Sequence, residues 1–290
     1  MRKLNEFTFR EWLKLDPIYW LLKEWRNDLV VSQYVKKGVV PSDLLSSLMG
    51  YSRSNKPLVI TVAFENPLMI DFQSKAMKEH FQEAVYLVAD NSRTPEKSEK
   101  IKRICDDRSL YYVKLPENFV LHGNRNHSMA LQWLFEKVVR KSGFSKFGFL
   151  DHDLIPIRKV RSLRISDCPV YGLKWDSELK NDAWTLWAGF SFFNLNKLSK
   201  TTNFNFLYDF SNGLDTGGRN YPSIFQFIQS DAQPFATSSF KWSKTSAGNR
   251  FELIDGEWLH FGGAGYLEDY DAKIQDFIDT IENPIFKYLG

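Results

Sequence analysis

The spacing of hydrophobic residues divides the chain into a helical N-terminal part and a longer part in which strands and helices alternate. Over residues 7–56, apolar residues recur at intervals of three and four, which predicts helices. Asp16-Pro17 and Pro41-Ser42-Asp43 are typical of helix starts, and residues 50–57 have the composition of a linker. We therefore predict an N-terminal helical extension, residues 1–56, that packs on the main domain. Docking of these helices on a partner or on a membrane is the alternative.

After residue 57, apolar and β-branched runs alternate with amphipathic segments. Leu58–Phe64 is the first such run, as expected for a strand that is buried on both faces. Further strands are predicted at 84–89, 110–115 and 147–150, and helices at 67–83, in a basic segment ending at Cys105, and at 126–141. This alternation predicts an α/β fold with a mostly parallel, doubly wound central sheet. Functional sites of such sheets lie at the carboxyl ends of the strands.

The second half of the chain keeps strands but loses the regular alternation. Strands are predicted at 169–173 and 184–194, polar loops around 215–218 and 258–266, and a closing helix at 271–287. We therefore predict one large domain over residues 57–290, with a boundary between its halves after residue 153.

Composition narrows the classes of function. The 38 basic and 35 acidic residues give a net charge of +3, which is too balanced for a protein that binds nucleic acid by neutralising phosphates. Aromatic residues make up 16% of the chain; they fill cores, and in clefts they stack on sugars and nucleobases. Two cysteines, without a signal peptide or a membrane-spanning stretch, predict a cytoplasmic protein with no transmembrane segment.

Two carboxylates directly follow the fourth predicted strand. Asp151 and Asp153 are two residues apart, and such residues share a face of an extended chain. Paired carboxylates repel one another unless a cation lies between them, and a divalent ion with oxygen ligands meets that need. The pair therefore indicates a metal site, with an Asp-rich turn as the alternative.

Polar residues also follow the other predicted strands. Glu65-Asn66 follows the first strand, Asp90-Asn91-Ser92 follows the second, and His122–Asn126 begins the helix that leads into the fourth. Parallel strands present their carboxyl ends together, so we expect these residues to meet Asp151 and Asp153 at one edge of the sheet.

Seven short segments, taken in order, resemble the GT-A glycosyltransferases, most nearly the family-2-like group. They are LVITVAFEN, VYLVADNS, HGNRNHSMA, FGFLDHD, WAGFSFFN, LDTGG and WLHFGGAGY. The resemblance covers residues 58–266 and implies the nucleotide-diphospho-sugar transferase (GT-A) fold, with 57–153 binding the nucleotide sugar and 154–290 the acceptor. It implies metal-dependent transfer of a sugar from a UDP- or GDP-sugar donor to a hydroxyl of a glycan or glycoconjugate.

The resemblance also implies roles for individual residues. Asp151-His152-Asp153 would be the Asp-any-Asp motif that holds Mn²⁺ or Mg²⁺, with Asp153 the more direct ligand and His260 a further one. The implied donor-binding residues are Phe64, Glu65, Asp90, Arg125, Asn126 and Asp151. For Asp90 a turn role is the alternative, for Asn126 a plain helix cap, and for His260 a place in the core.

On the acceptor side, the resemblance points to Trp187 for stacking on a sugar ring and to Gly189 for close approach of the sugar to the backbone. Asp215 would be the catalytic base, although the segment lacks the Glu-Asp signature usual at this position. Asp182 and Asp231 are alternative bases. The histidines at positions 80, 122, 127 and 152 show no recognisable pairing.

Two other functions fit the same residues less well. A nucleotidyltransferase or phosphohydrolase could use the same carboxylates, but the sequence has no glycine- and lysine-rich phosphate motif. A non-catalytic carbohydrate-binding protein could share the fold. Against it stands the intact pair of Asp151 and Asp153, which such a protein has no need to keep.

Overall fold

The computed structural model describes residues 4–118, 120, 123–180, 182–198, 203–242, 250–262, 273–275 and 277–279. The helices are α1 (Phe9–Leu13), α2 (Asp16–Lys36), α3 (Ser42–Ser52), α4 (Pro67–His80), α5 (Pro95–Asp107), α6 (Gly123–Leu134) and α7 (Arg140–Ser142). The strands are β1 (Leu58–Ala63), β2 (Val85–Asp90), β3 (Tyr111–Lys114), β4 (Lys146–Asp151), β5 (Leu154–Pro156), β6 (Val170–Asp176), β7 (Trp184–Asn194), β8 (Ser238–Trp242), β9 (Arg250–Ile254) and β10 (Trp258–His260). Of the predicted closing helix, 273–275 and 277–279 are described, and both stretches are helical.

A six-stranded sheet forms the centre of the molecule, in the order β3-β2-β1-β4-β7-β6. Strands β1 to β4 run parallel, whereas β7 pairs antiparallel with both β4 and β6. This arrangement confirms the predicted α/β class and the mostly parallel central sheet. The parallel part brings the carboxyl ends of β1, β2 and β4 to one edge.

Helices cover both faces of this sheet, and the side chains of β1 are therefore buried on both sides. Ile60 of β1 belongs to the main hydrophobic core, together with residues of α2, α3 and α6. Ala63, on the opposite face, packs with Ile70 of α4 and Ile101 of α5. The continuous apolar sequence of β1 follows from this double burial.

A second, antiparallel sheet has the order β5-β10-β9-β8. The sequence predicts a loop beginning at Trp258, but Trp258 and Leu259 are fully buried in strand β10. A strand of three residues is too short to show a periodic pattern, which explains the error. The predicted loop residues after Gly262 lie outside the described residues. Through β10, this sheet reaches the end of β4, because β5 follows β4 after a tight turn.

The second half of α2 and helix α3 belong to the main hydrophobic core. Tyr34 is buried and its hydroxyl donates a hydrogen bond to the carbonyl oxygen of Pro116 (3.1 Å). Trp133 of α6 donates from Nε1 to the carbonyl oxygen of Lys37 (2.8 Å). Leu48 of α3 is fully buried in the same core. None of the described helices combines the length and the apolar character needed to cross a membrane.

Candidate active site

A cavity of about 420 Å³ lies at the carboxyl edge of the parallel strands. Its lining residues are Val62, Phe64, Asn91, Arg93, Gly123, Asn124, Asn126, His127, Asp151, His152, Asp153, Trp187, Ala188, Asp215, Thr216 and His260. Seven of the predicted site residues are among them: Phe64, Asn126, Asp151, Asp153, Trp187, Asp215 and His260. The other four, Glu65, Asp90, Arg125 and Gly189, lie outside the lining.

Asp151, Asp153 and His260 form a cluster whose ligand atoms all lie within 4.8 Å of one another. Asp151 is the last residue of β4, Asp153 lies in the turn that follows, and His260 ends β10. The Nε2 atom of His260 is 3.6 Å from Oδ1 of Asp153, which is buried. Two sheets therefore meet at this cluster, and residues more than 100 positions apart in the sequence share one site.

Gln73 of α4 holds the turn that carries the two aspartates. Its Nε2 donates hydrogen bonds to the carbonyl oxygens of Asp151 (2.8 Å) and Leu154 (2.7 Å). Its Oε1 accepts a hydrogen bond from the hydroxyl of Tyr86 (2.8 Å). Gln73 is fully buried, and all three contacts fix its amide in one orientation. The sequence shows Gln73 only as one polar residue of a predicted helix, so its role was not predicted.

Glu252 of β9 orients the imidazole of His260. An oxygen of Glu252 lies 2.9 Å from Nδ1 of His260, which leaves Nε2 directed toward Asp153. Burial by itself would lower the pKa of His260, but the carboxylates of Asp153 and Glu252 raise it to about 10. The hydrogen bond from His260 in turn lowers the pKa of Glu252. A carboxylate behind a ligating histidine is the usual outer partner in metal sites.

The cluster has a donor set that fits Mn²⁺ or Mg²⁺. Carboxylate oxygens suit both ions, and the imidazole of His260 favours Mn²⁺. A metal ion binds the unprotonated ring, so it would replace the proton that the carboxylates otherwise stabilise on His260. An ion bound by these three protein ligands would have further coordination positions open to other oxygen ligands.

Gly189 of β7 provides the space for the Asp151 side chain. A Cβ atom at position 189 would lie 2.4 Å from Oδ2 of Asp151 and 2.4 Å from Cζ2 of Trp187. The resemblance implies that a sugar approaches the backbone at Gly189, which stays a prediction; in the structure, the side chains of Asp151 and Trp187 lie where a Cβ at position 189 would be. Glycine is therefore required here for the geometry of the acidic cluster.

Trp187 lies between the acidic cluster and another tryptophan, Trp175, which is exposed. Its ring centroid is 4.6 Å from that of His260 and 6.4 Å from that of Trp175, on which it stacks at 17°. Trp175 of β6 is paired with Thr185 of β7, so it is a diagonal neighbour of Trp187 on one face of the sheet. Trp175 is 45% exposed. It was not predicted, because the register of β6 and β7 is not readable from the sequence.

The first turn of α6 contributes amide groups to the cavity. Oδ1 of Asn126 accepts hydrogen bonds from Nδ2 of Asn91 (2.9 Å) and of Asn118 (2.8 Å), which ties the loops after β2 and β3 to the start of α6. Nδ2 of Asn124 donates to Oδ1 of Asp215 (2.8 Å). Asn124 was not predicted as a site residue, although its segment was. The helix start thus positions the candidate base Asp215.

Two histidines that show no pairing in the sequence also line the cavity. Nε2 of His127 lies 3.9 Å from Oδ1 of Asp151, so this residue does have an acidic neighbour. His152 stands between the two aspartates, and its Nε2 atom is buried without a hydrogen-bond partner among the described residues. His127 lies in the predicted segment of α6, but its approach to β4 depends on tertiary packing.

Asp90 lies outside the cavity lining. Its carboxylate is fully buried and accepts hydrogen bonds from the Tyr112 hydroxyl (3.0 Å), Nζ of Lys114 (3.0 Å), the backbone N–H of Ser92 (2.8 Å) and the Ser98 hydroxyl. Burial would raise the pKa of Asp90, but the hydrogen bonds from Ser98 and Ser92 outweigh it and hold the pKa below its ordinary value. Asp90 thereby fixes the end of β2 and the loop that follows it.

Glu65 also supports a loop from outside the cavity. Its Oε1 accepts hydrogen bonds from the backbone N–H groups of Arg93 (2.6 Å) and Thr94 (2.9 Å) at the start of α5. Burial would raise the pKa of Glu65, but these backbone hydrogen bonds lower it. The backbone φ of Glu65 is +53°, a left-handed conformation that turns the chain sharply after β1.

Phe64 and Arg93 form one end of the cavity. The guanidinium carbon of Arg93 lies 5.9 Å from the centroid of the Phe64 ring, so a cationic and an aromatic group stand side by side. Arg125 is directed elsewhere: its Nε donates to the hydroxyl of Tyr208 (3.2 Å), and it does not line the cavity.

Comparison with known proteins returns no matching family model and no matching curated protein. Among solved structures, the mannosyltransferase PcManGT from Pyrobaculum calidifontis in complex with GDP-Man and Mn²⁺ matches 60% of this chain at 14% identity, with a TM-score of 0.34. The WbbM bifunctional glycosyltransferase, in an apo structure, matches 50% of this chain at 11% identity, with a TM-score of 0.33. The chain spans 51% of the first structure and 32% of the second.

Proposed function

We propose that this protein is a metal-dependent glycosyltransferase of the GT-A type, which moves a sugar from a nucleotide-diphosphate donor to a hydroxyl acceptor. The observation that carries the proposal is the cluster of Asp151, Asp153 and His260 in a cavity at the carboxyl edge of parallel strands. Such edges bind ligands in open α/β sheets, and this donor set suits Mn²⁺ or Mg²⁺.

The donor would lie between the Phe64 end of the cavity and the acidic cluster. Phe64 offers a ring face to the base, and the Arg93 guanidinium can form paired hydrogen bonds with phosphate oxygens. Asp151, Asp153 and His260 would hold an Mn²⁺ or Mg²⁺ ion, whose charge would neutralise the diphosphate and stabilise the departing nucleotide. A UDP- or GDP-sugar fits this chemistry.

The four predicted residues outside the lining would act through the residues that line the cavity. Glu65 and Asp90 fix the loop that carries Asn91 and Arg93, and Gly189 admits the carboxylate of Asp151. Arg125 belongs to the same helix turn as Asn126 and adds positive charge near the helix start.

On the acceptor side, Trp187 and Trp175 would stack on pyranose rings of a glycan or glycoconjugate. Asp215 would take the proton from the acceptor hydroxyl while that oxygen forms a bond to the anomeric carbon of the donor sugar. The bond from this carbon to the diphosphate breaks, and its electrons leave with the nucleoside diphosphate. Asn124 holds Oδ1 of Asp215, which leaves Oδ2 to accept the proton.

A screen of nucleotide sugars by thermal shift tests the proposal. UDP- or GDP-sugars should raise the melting temperature when Mn²⁺ or Mg²⁺ is present, and a chelator should abolish this shift. Equal stabilisation in the presence of chelator would contradict the metal site. Asp153→Asn should lose the metal-dependent shift, whereas Asp167→Asn, at a side chain that is 69% exposed and away from the cavity lining, should keep it.

The products of turnover separate this function from the alternatives. A glycosyltransferase releases the nucleoside diphosphate and a lengthened acceptor. Release of pyrophosphate or inorganic phosphate would indicate a nucleotidyltransferase or a phosphohydrolase that uses the same carboxylates. Binding of glycans without turnover of any nucleotide sugar would indicate a carbohydrate-binding protein.

A further inference from the structure

Helices α1 and α2 present a large apolar surface to solvent. Helix α1 contains no buried residue, and Phe9 and Leu13 are 78% and 69% exposed. On α2, Ile18, Leu22, Trp25 and Leu29 are each between 43% and 65% exposed. The flanking positions add Trp12, Leu15, Tyr19 and Leu21. Contiguous exposed apolar surface of this kind marks an interaction site rather than an ordinary protein surface.

The apolar stripe on α2 lies opposite the face that packs on the main domain. Ile18, Leu22, Trp25 and Leu29 follow one another at intervals of four, three and four residues, so they lie along one side of the helix. The opposite side is buried, and in the first half of α2 it contains polar side chains. The first half of α2 therefore has the reverse of the usual amphipathic pattern: it buries polar residues and exposes apolar ones.

The buried side chains concerned are Glu24 and Asn27, each 1% exposed. Neither the carboxylate of Glu24 nor the side-chain amide of Asn27 has a hydrogen-bond partner among the described residues. Burial of such groups costs free energy, whereas exposure of the four apolar residues gains none. An apolar environment on the outer side of α2 would cover these four exposed apolar side chains and stabilise the helix in this position.

The exposed charges on this surface are mostly cationic. Between residues 9 and 29, the exposed charged side chains are the cationic Arg10, Lys14 and Arg26 and one anionic residue, Asp28, which pairs with Arg219. The acidic Glu11 and Asp16 are half-buried, and Glu11 is engaged with the N–H and hydroxyl of Thr8. Exposed tryptophan and tyrosine interleaved with arginine and lysine is the composition of helices that lie in a membrane interface.

We propose that α1 and the first half of α2 dock on the surface of an anionic lipid bilayer. Exposed apolar side chains would enter the boundary between headgroups and acyl chains, and Arg10, Lys14 and Arg26 would contact anionic headgroups. A second copy of this chain is a poorer occupant, because a two-fold interface would bring the same cationic surface against itself.

Helix α2, which carries most of the docking surface, is also linked to the wall of the cavity through contacts of its half-buried Trp20. The ring of Trp20 packs on Phe210 at 5.5 Å between centroids, and Phe210 contacts Tyr208 at 3.7 Å. Tyr208 accepts a hydrogen bond from Arg125, which is adjacent in α6 to the cavity residues Asn124 and Asn126. Docking would therefore place the bilayer against the same side of the molecule that carries the first turn of α6.

Vesicle flotation with the full-length chain tests this proposal. Vesicles of phosphatidylcholine with about one third phosphatidylglycerol should carry the protein upward, and pure phosphatidylcholine should carry less. Leu22→Gln combined with Trp25→Gln should weaken partitioning about tenfold or more, because both side chains lose their apolar contact. Arg10→Glu combined with Lys14→Glu should reduce binding to the anionic vesicles only.

Phe227→Gln is the matched control, because Phe227 is 69% exposed and lies outside the proposed surface. This variant should float like the unchanged protein. All variants change exposed side chains, so their thermal unfolding should stay close to that of the unchanged protein, which shows that they are folded. Flotation needs no nucleotide sugar, so its result is independent of the proposed transfer reaction.

Absence of flotation with anionic vesicles would overturn the proposal, as would equal loss in Phe227→Gln. Sedimentation velocity gives the other decisive outcome. A dimer that the Leu22 and Trp25 substitutions convert to a monomer, without any vesicle binding, would assign the surface to a second copy of the chain.

Discussion

At the scale of single residues, Gly189 is a position where one methyl group should directly disturb the acidic cluster. In Gly189→Ala, the new Cβ would overlap the carboxylate of Asp151 and the ring of Trp187, each at 2.4 Å. We expect the displaced carboxylate to weaken Mn²⁺ binding at least about tenfold, as calorimetry would show. Gly50→Ala is the control, since nothing lies within 4 Å of its added Cβ. Unchanged Mn²⁺ affinity in Gly189→Ala would mean that Asp151 is not a ligand.

Glu252 tests whether the orientation of His260 matters for the metal. Glu252→Gln keeps the size of the side chain but removes the charge behind the imidazole. Loss of such an outer carboxylate typically weakens metal binding about 10- to 100-fold. We expect this loss in Mn²⁺ titrations by calorimetry. An unaltered affinity would leave His260 as a neighbour of the cluster and not as a ligand.

The acidic pair was accessible to sequence reasoning, whereas its supporting residues were not. Asp151 and Asp153 follow a recognisable strand, so local pattern and strand topology together place them at the sheet edge. Gln73 and Glu252 reach the cluster from a helix and from a strand that are distant in sequence. Each is an ordinary polar residue in its own segment, and only the folded chain reveals its contacts.

At the scale of elements, the turn between β4 and β5 depends on α4. Gln73→Leu would leave the carbonyl oxygens of Asp151 and Leu154 without their hydrogen-bond donor. Loss of these buried hydrogen bonds should lower the free energy of unfolding by about 2–4 kcal/mol and should weaken Mn²⁺ binding as the turn moves. Tyr86→Phe removes only the hydroxyl that supports Gln73, so its effect on both measurements should be smaller.

From Asp90, the last residue of β2, we expect a specific pH dependence of the free energy of unfolding. The pKa of Asp90 is below its ordinary value of 3.8 in the folded protein, so its carboxylate stabilises the fold above this pH. That stability is lost as the pH falls through the lowered pKa. Asp90→Asn should therefore be less stable near neutral pH by about 1–3 kcal/mol, and its unfolding free energy should decrease less on acidification.

Urea denaturation at a series of pH values measures both effects. The exposed Asp167 provides the comparison, because Asp167→Asn should follow the unchanged protein at every pH. If Asp90→Asn lost stability on acidification as steeply as the unchanged protein, other carboxylates would account for the acid sensitivity.

Some helices and strands were predicted better than others. Long elements with a clear local pattern were identified, whereas short elements and pairings between distant segments were not. Strands β1, β2 and β4 are long apolar runs buried in a parallel sheet, and the sequence pattern identifies all three. The predicted helix at 126–141 is one α-helical stretch, α6, followed by a π-helical turn at Phe135–Val139 and the short α7. Strand β10 and the antiparallel pairing of β7 depend on distant partners, which no local pattern encodes.

At the scale of the whole molecule, the N-terminal extension combines two kinds of contact. Its outer part, α1 and the first half of α2, has its apolar residues in solvent. Its inner part contributes Val31, Tyr34, Leu44 and Leu48 to the same core as the central sheet. The hydrophobic core therefore continues across residue 56, where the N-terminal extension is predicted to end.

Two truncations separate these parts. Removal of residues 1–15 takes away a helix without buried residues, so the free energy of unfolding should change by less than about 1 kcal/mol.

Removal of residues 1–40 opens the core around Trp133 and leaves its indole N–H without the carbonyl of Lys37. Burial of Val31, Tyr34 and Val40 is lost as well, and each such side chain contributes about 1.5–3 kcal/mol. Since that sum is comparable to the stability of a whole domain, the shorter chain should show no cooperative unfolding in urea. Tyr34→Phe, which removes only the hydrogen bond to Pro116, should cost about 1 kcal/mol and remain folded. If the chain without residues 1–40 unfolded at the same urea concentration as the full chain, the extension would be an independent unit, and the core of the sheet would be complete without it.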